Sequence, residues 1–141
     1  MSDVVRLVAI RDTPLDIAEA YAAVSDGAAG GVALFVGAVR DNDGGQQVDG
    51  LDYTAHPSAL TVLQQVADEI AAEHSSVAIA AIHRVGSLAV GDIAVVVAVS
   101  CPHRSEAFVA CRALIDELKR RVPIWKHQVF SDGTEEWVGT P

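Results

Sequence analysis

Only two lysines, Lys119 and Lys126, occur in this sequence, seven residues apart in ELKRRVPIWKHQ (117–128) and on either side of Pro123. A lysine amine gives up its proton readily when buried or set beside other cations, and then serves as nucleophile, base or acid; an arginine guanidinium does not. Two such amines flanking a helix-to-strand break point to a site, the alternative being a pair of solvated charges. A second candidate is Cys101-Pro102-His103-Arg104-Ser105, where an apolar strand runs into a helix whose first turn carries His and Arg. A helix N-terminus presents unpaired N–H groups and partial positive charge, and a basic residue there opposes the macrodipole unless an anion is held. The reading is an anion site at His103 and Arg104; the alternative is a solvated first turn capped by Ser105. Arg40, ending GGVALFVGAVR (30–40), is either a further anion ligand or a strand-end charge. His83 and Arg84 repeat the His-Arg pair at another strand end, but no helix follows directly, and they read as structural. His56, His74 and His127 lack metal-ligand spacing, and the two cysteines, Cys101 and Cys111, read as small buried hydrophobes.

The elements that must position these residues follow from periodicity and punctuation. Strands are predicted at 4–10, 30–40, 48–56, 77–86, 92–101, 124–130 and 135–139, with 48–56 as hairpin partner of 30–40. Thr13 as N-cap, Pro14 at the first helical position and Asp16 three residues after the cap predict a helix to about Val24. A second helix runs from Pro57 to about Glu73 with Leu60, Leu63, Val66 and Ile70 on its apolar face. The last runs from Pro102 to about Arg121, its stripe of Ala107, Cys111, Leu114 and Leu118 widened by Phe108 and Ile115. The apolar run 92–101 predicts a central strand covered on both faces. Mixed strands and helices with antiparallel pairings predict an α+β fold.

Composition narrows the class. A length of 141 residues, half of them apolar, suits one domain over 1–141 with a proper core. The net charge of −9 argues against nucleic acid and anionic membranes as partners. Six of the ten Lys and Arg nevertheless fall between Arg104 and Lys126, a local cationic face suited to a small anion. Charges in the first dozen residues leave no apolar leader, and no apolar run reaches the ~20 residues of a membrane helix, so a soluble, cytoplasmic protein is expected.

Helix length adds a constraint. At ~1.5 Å per residue, His103 and Lys119 lie roughly 24 Å apart along a straight helix, too far for one nucleotide-sized ligand. If both ends bind one substrate, they belong to different copies of the chain. A homodimer with a composite site is therefore expected, with His103 and Arg104 from one subunit and Lys119 and Lys126 from the other.

FVGAVR (35–40), IHRVGSLAVGD (82–92), HRSEAF (103–108) and LKRRVPIWK (118–126), in this order, resemble the large, catalytic subunit of molybdopterin synthase, the MoaE family. The resemblance spans about residues 30–138. It implies an α/β hammerhead fold with an added antiparallel sheet. It also implies an enzyme that converts cyclic pyranopterin monophosphate (precursor Z) into molybdopterin by inserting two sulfurs as a dithiolene. The sulfur donor it implies is the thiocarboxylated Gly-Gly C-terminus of a small ubiquitin-like subunit, within a heterotetramer built on a dimer of large subunits. No cofactor or metal is implied. By position, Lys119 and Lys126 match the family's catalytic lysines. Arg40, His103 and Arg104 match its substrate-binding residues; Ala38, Val39, His127 and Gln128 fall beside them and line the pocket. Without the resemblance, two other classes fit the residues: a non-catalytic dimeric module binding a phosphorylated metabolite, and a scaffold whose groove holds a partner's C-terminal tail.

Overall fold

The computed structural model describes residues 3–138. Along them lie β1 (Val5–Arg11), α1 (Ile17–Val24), β2 (Gly31–Ala38), β3 (Asn42–Asp43), β4 (Gln46–Ala55), α2 (Ala59–Glu73), β5 (Ala78–Arg84), β6 (Gly86–Ala89), β7 (Ile93–Cys101), α3 (Arg104–Arg121), β8 (Ile124–Phe130) and β9 (Glu135–Val138). The fold is α+β with two sheets. The first has the order β1-β5-β7-β2, its β1–β5 pair parallel and the others antiparallel. The second is antiparallel, order β3-β4-β8-β9, with β6 also paired to β4.

The sequences of β5 and β7 explain the first sheet. AIAAIHR and IAVVVAVSC are nearly continuous apolar runs, and almost every residue in them is buried, as central strands with both faces covered require. Side-chain alternation then sorts them. Ile79, Ala81, Val95, Val97, Val99 and Cys101 pack with α2 and α3, while Ala78, Ala80, Ile82, Val96 and Ala98 pack with Leu15, Ala20 and Val24 beside α1. Leu114 and Leu118 of α3 are fully buried. Each such leucine contributes about 1.5–3 kcal/mol to docking α3 on the sheet. A smaller cluster of Val39, Leu51, Leu88 and Ala94 joins the second sheet to the first.

Several expectations need correction. The strand at 30–40 does not form a hairpin with 48–56: β2 pairs with β7, while β4 pairs with β3, β6 and β8. The polar stretch 41–47 is not a simple loop, because Gly44 and Gly45 at φ 60° and 88° turn β3 back onto β4. Helix α1 is capped by Asp16, whose carboxylate accepts from the Ala18 N–H at 3.0 Å, so Thr13 and Pro14 precede it. Leu60 and Phe108 are exposed, the inner positions being taken by Ala59, Ala67 and Ala110. The segment after Gly86 adds β6, which periodicity does not reveal.

Candidate functional site

Helix α3 ends where Pro123 removes the next N–H donor, and the chain turns directly into β8. Lys119 therefore sits in the last helical turn and Lys126 on the strand that folds back beside it. Alternation along β8 sends Ile124, Lys126 and Gln128 to one face and Trp125 and His127 to the other. Across the ladder, Tyr53 of β4 lies opposite Lys126, Ala55 opposite Ile124 and Leu51 opposite Gln128. On β5, His83 shares the parity of Ile79 and Ala81, which pack towards α3. These elements enclose a cavity of about 230 Å³ lined by Tyr53, His83, Lys119, Lys126 and the apolar Leu118, Val122, Ile124 and Val138. A second recess of about 60 Å³ adjoins it, lined in part by Ala38, Val39, Arg40, Asp43 and Gln128. Tyr53 and Lys126 line both and form the wall between them.

The electrostatics of the larger cavity loosen the hold of Lys119 on its proton. Lys119 is exposed at its mouth, yet the amine is held below the ordinary lysine range, first by the protein that displaces water around it and then by the Lys126 charge. Water at the mouth limits the first of these effects. Arg120 and Arg121, adjacent in sequence, are not the cause. Arg120 pairs with Glu117 at 2.6 Å and Arg121 with Glu69 at 2.8 Å, in the groove between α2 and α3. Arg112 likewise pairs with Asp116, so the cationic run of the sequence is divided among several surfaces.

His83 is 2% exposed and its pKa is pushed down to about 4, mainly by burial and further by Lys119, against the opposing effect of a hydrogen bond to the Arg84 carbonyl. Sequence reading treats it as structural; it lines the cavity. Tyr53, missed altogether, meets His83 edge-on with ring centroids 5.1 Å apart, and burial raises its phenol pKa. The strand parity of 77–86 against the α3 stripe was the signal for His83. Tyr53 becomes visible only once β4 is registered on β8.

The remaining candidates divide. Gln128 is buried and donates to Asp43 at 2.6 Å, and Arg40 reaches the same carboxylate at 3.8 Å while staying exposed. His127 is not brought into either cavity: it stacks on Trp137 at 4.5 Å on the opposite face of β8 and lies 3.7 Å from Glu135. His103 and Arg104 stand exposed at the far end of α3, where His103 occupies the N-cap position without a side-chain capping bond. The helix of 18 residues separates them from Lys119 within one chain. Both cysteines are free and buried, with their thiol pKa values raised chiefly by burial.

Comparison with known proteins identifies the family of the whole chain. Residues 10–121 match the family model described as MoaE protein. The chain is 46% identical over 132 residues to the molybdopterin synthase catalytic subunit of Nostoc sp., covering 92% of this chain and 80% of that protein. The crystal structure of molybdopterin synthase from Staphylococcus aureus superposes with a TM-score of 0.86 at 32% identity, over 95% of this chain and 97% of that one. A complex of subunits 1 and 2 of molybdopterin-converting factor from Helicobacter pylori shares the fold, with a TM-score of 0.71 at 19% identity over 98% of this chain and 94% of that one. The chain belongs to the MoaE family, the catalytic subunits of molybdopterin synthase.

Proposed function

We propose that this chain, folded as one domain, converts precursor Z into molybdopterin with Lys119 and Lys126 as its catalytic residues. The observation that carries the reading is that both lysines of the chain line one cavity, from two different elements, where burial and the Lys126 charge weaken the hold of Lys119 on its proton. The thiocarboxylated tail of a small ubiquitin-like subunit enters this cavity. A Gly-Gly terminus suits its narrow volume and the apolar walls of Leu118, Val122 and Ile124. The H. pylori complex of two subunits is a precedent for such a pairing.

In this scheme the C–S bond of the thiocarboxylate breaks as its sulfur bonds to a pterin carbon, and the acyl carbon passes to water, either directly or by way of a transient amide with Lys119. Lys119, whose proton is held less tightly than an ordinary lysine's, takes up the proton that water releases. The Lys126 ammonium stabilises the negative charge on sulfur and on the opening cyclic phosphate. Arg40, with the backbone of Ala38 and Val39 beside it, and Gln128 across the Tyr53–Lys126 wall, hold the pterin. The phosphate goes to His103, Arg104 and the free N–H groups of an α3 N-terminus. Because α3 keeps its two ends apart, that N-terminus is supplied by a second copy. The exposed apolar side chains of Val32, Leu34 and Phe35 on edge strand β2, with Phe108 and Val109 on α3, offer a surface for such a homodimer. The assembly is then a heterotetramer with a small subunit at each end. A cytoplasmic setting fits free cysteines, and no described helix is long and apolar enough to cross a membrane.

The test combines purified chain, thiocarboxylated small subunit and precursor Z, and measures dithiolene product. Lys119→Arg should retain precursor Z binding and lose turnover by about 100-fold or more, because the guanidinium neither titrates nor attacks. Wild-type protein that yields no product, or an Arg variant that turns over normally, would reject the scheme.

A further inference from the structure

Burial, tautomer and strand parity together single out His83, a residue the scheme above does not use. Its Nδ1 lies 2.7 Å from the Arg84 carbonyl oxygen. A carbonyl can only accept, so Nδ1 carries the hydrogen. The ring is enclosed by protein and faces two lysines across the cavity, surroundings that disfavour a second proton. A neutral imidazole protonated at Nδ1 has a lone pair at Nε2. Among the described residues nothing hydrogen-bonds that nitrogen. Tyr53 packs edge-on against the ring, fixing its plane from the β4 side.

We propose that His83 is a positioning residue for Lys119: its Nε2 lone pair, left open among the described residues, accepts a hydrogen bond from the Lys119 amine once that flexible side chain turns across the cavity they share. One N–H of the amine is directed to the imidazole, and this bond can form whether lysine is ammonium or neutral. In the neutral state the nitrogen lone pair then has a fixed direction, away from β5 and into the space where an incoming carbonyl would sit. The Arg84 carbonyl sets the tautomer, the tautomer sets the acceptor, and the acceptor aims the amine. Such an orienting shell is what a flexible four-carbon side chain needs before it can act on one particular atom.

The inference rests on Lys119 being the reacting amine, so its test has one arm that needs no turnover. Nitrogen-15 NMR of the imidazole at neutral pH should show His83 as the neutral Nδ1–H tautomer. In Lys119→Met, the His83 Nε2 resonance should move towards the value of a lone pair without a donor. A doubly protonated ring, an Nε2–H tautomer, or an Nε2 resonance indifferent to loss of the amine would overturn the proposal, whatever the enzyme does. The second arm uses the complete reaction with the small subunit. His83→Asn keeps an amide N–H for the Arg84 carbonyl and removes the acceptor. Its kcat should fall about 10-fold or more at unchanged KM. His83→Gln, which can place an amide oxygen near the Nε2 position, should recover most of that loss. Equal kcat in wild type and the Asn variant would show that the contact, even if formed, does not aim the reacting amine. Wild-type protein that makes no dithiolene, while the NMR result holds, would reject the assigned reaction and leave the contact standing.

Discussion

Lys119 and Lys126 make an unusually clean pair of probes, because no other lysine competes with them. Acylation by a small neutral reagent, followed by mass spectrometry, should report each amine against pH. The midpoint at Lys119 should lie below the ordinary lysine value, since burial and the Lys126 charge both favour the free amine. In Lys126→Met that midpoint should rise, because one of the two causes is gone; an unchanged midpoint would assign the whole effect to burial. His83 predicts a second pH effect. The unfolded chain takes up its proton near 6.5 and the folded chain only near 4, so the group's contribution to stability is complete above pH 6.5 and is lost as pH falls through that window. The difference amounts to about 3 kcal/mol. Urea unfolding at pH 7 and pH 4.5 should show a larger loss for wild type than for His83→Gln, which lacks the titrating ring.

At the scale of elements, the start of β2 is pressed against the start of α3. A Cβ on Gly30 would lie 2.5 Å from the Pro102 carbonyl oxygen, and one on Gly31 would lie 2.9 Å from the Arg104 backbone. The obstructing atoms are main chain and cannot step aside. Gly30→Ala should therefore destabilise the protein by about 1–3 kcal/mol, read as a lowered denaturation midpoint. Most elements were legible in the sequence because their apolar periods are long: the buried run of β7, the stripe of α3, the Pro123 break. Pairing was less legible. β2 and β4 are neighbours in sequence and both rich in β-forming residues, so local rules favour a hairpin. The pairing observed instead is decided by the central apolar strand β7, which takes β2 as its neighbour. The lysines and the His103–Arg104 turn could be read from side-chain chemistry and helix polarity. Tyr53 could not, and His83 only through the parity of its strand, because their relevance comes from which strands stand beside the end of α3. His127, next to Lys126 along the strand, lies on the opposite face and stacks on Trp137, as strand alternation leads one to expect.

The whole molecule is acidic, yet among the described residues the Lys and Arg side chains outside ion pairs are Arg104 at the start of α3, Lys119 near its end and Lys126 on the strand that follows. Under the composite-site scheme, two inactive variants should rescue one another. His103→Ala/Arg104→Ala co-expressed with Lys119→Met should form mixed dimers in which one site is wholly wild type. With random pairing about a quarter of the wild-type dithiolene rate is expected, given two-fold symmetry. A mixture as inactive as its parents would mean that each site is built from a single chain. Helix α3 also limits how the chain can change in length. It is an unbroken helix from Arg104 to Arg121. Inserting one residue would rotate everything beyond it by about 100°, taking Lys119 out of the cavity wall and Leu118 out of the core. Adding two full turns would restore the phase but lengthen the rod by roughly 10 Å, which under the composite-site scheme would move the His103–Arg104 end away from a second copy's cavity. Substitution at exposed α3 positions outside the proposed site and dimer surface, such as Arg112 and Asp116, is open to drift, whereas under that scheme the residue count of the helix is fixed from both ends.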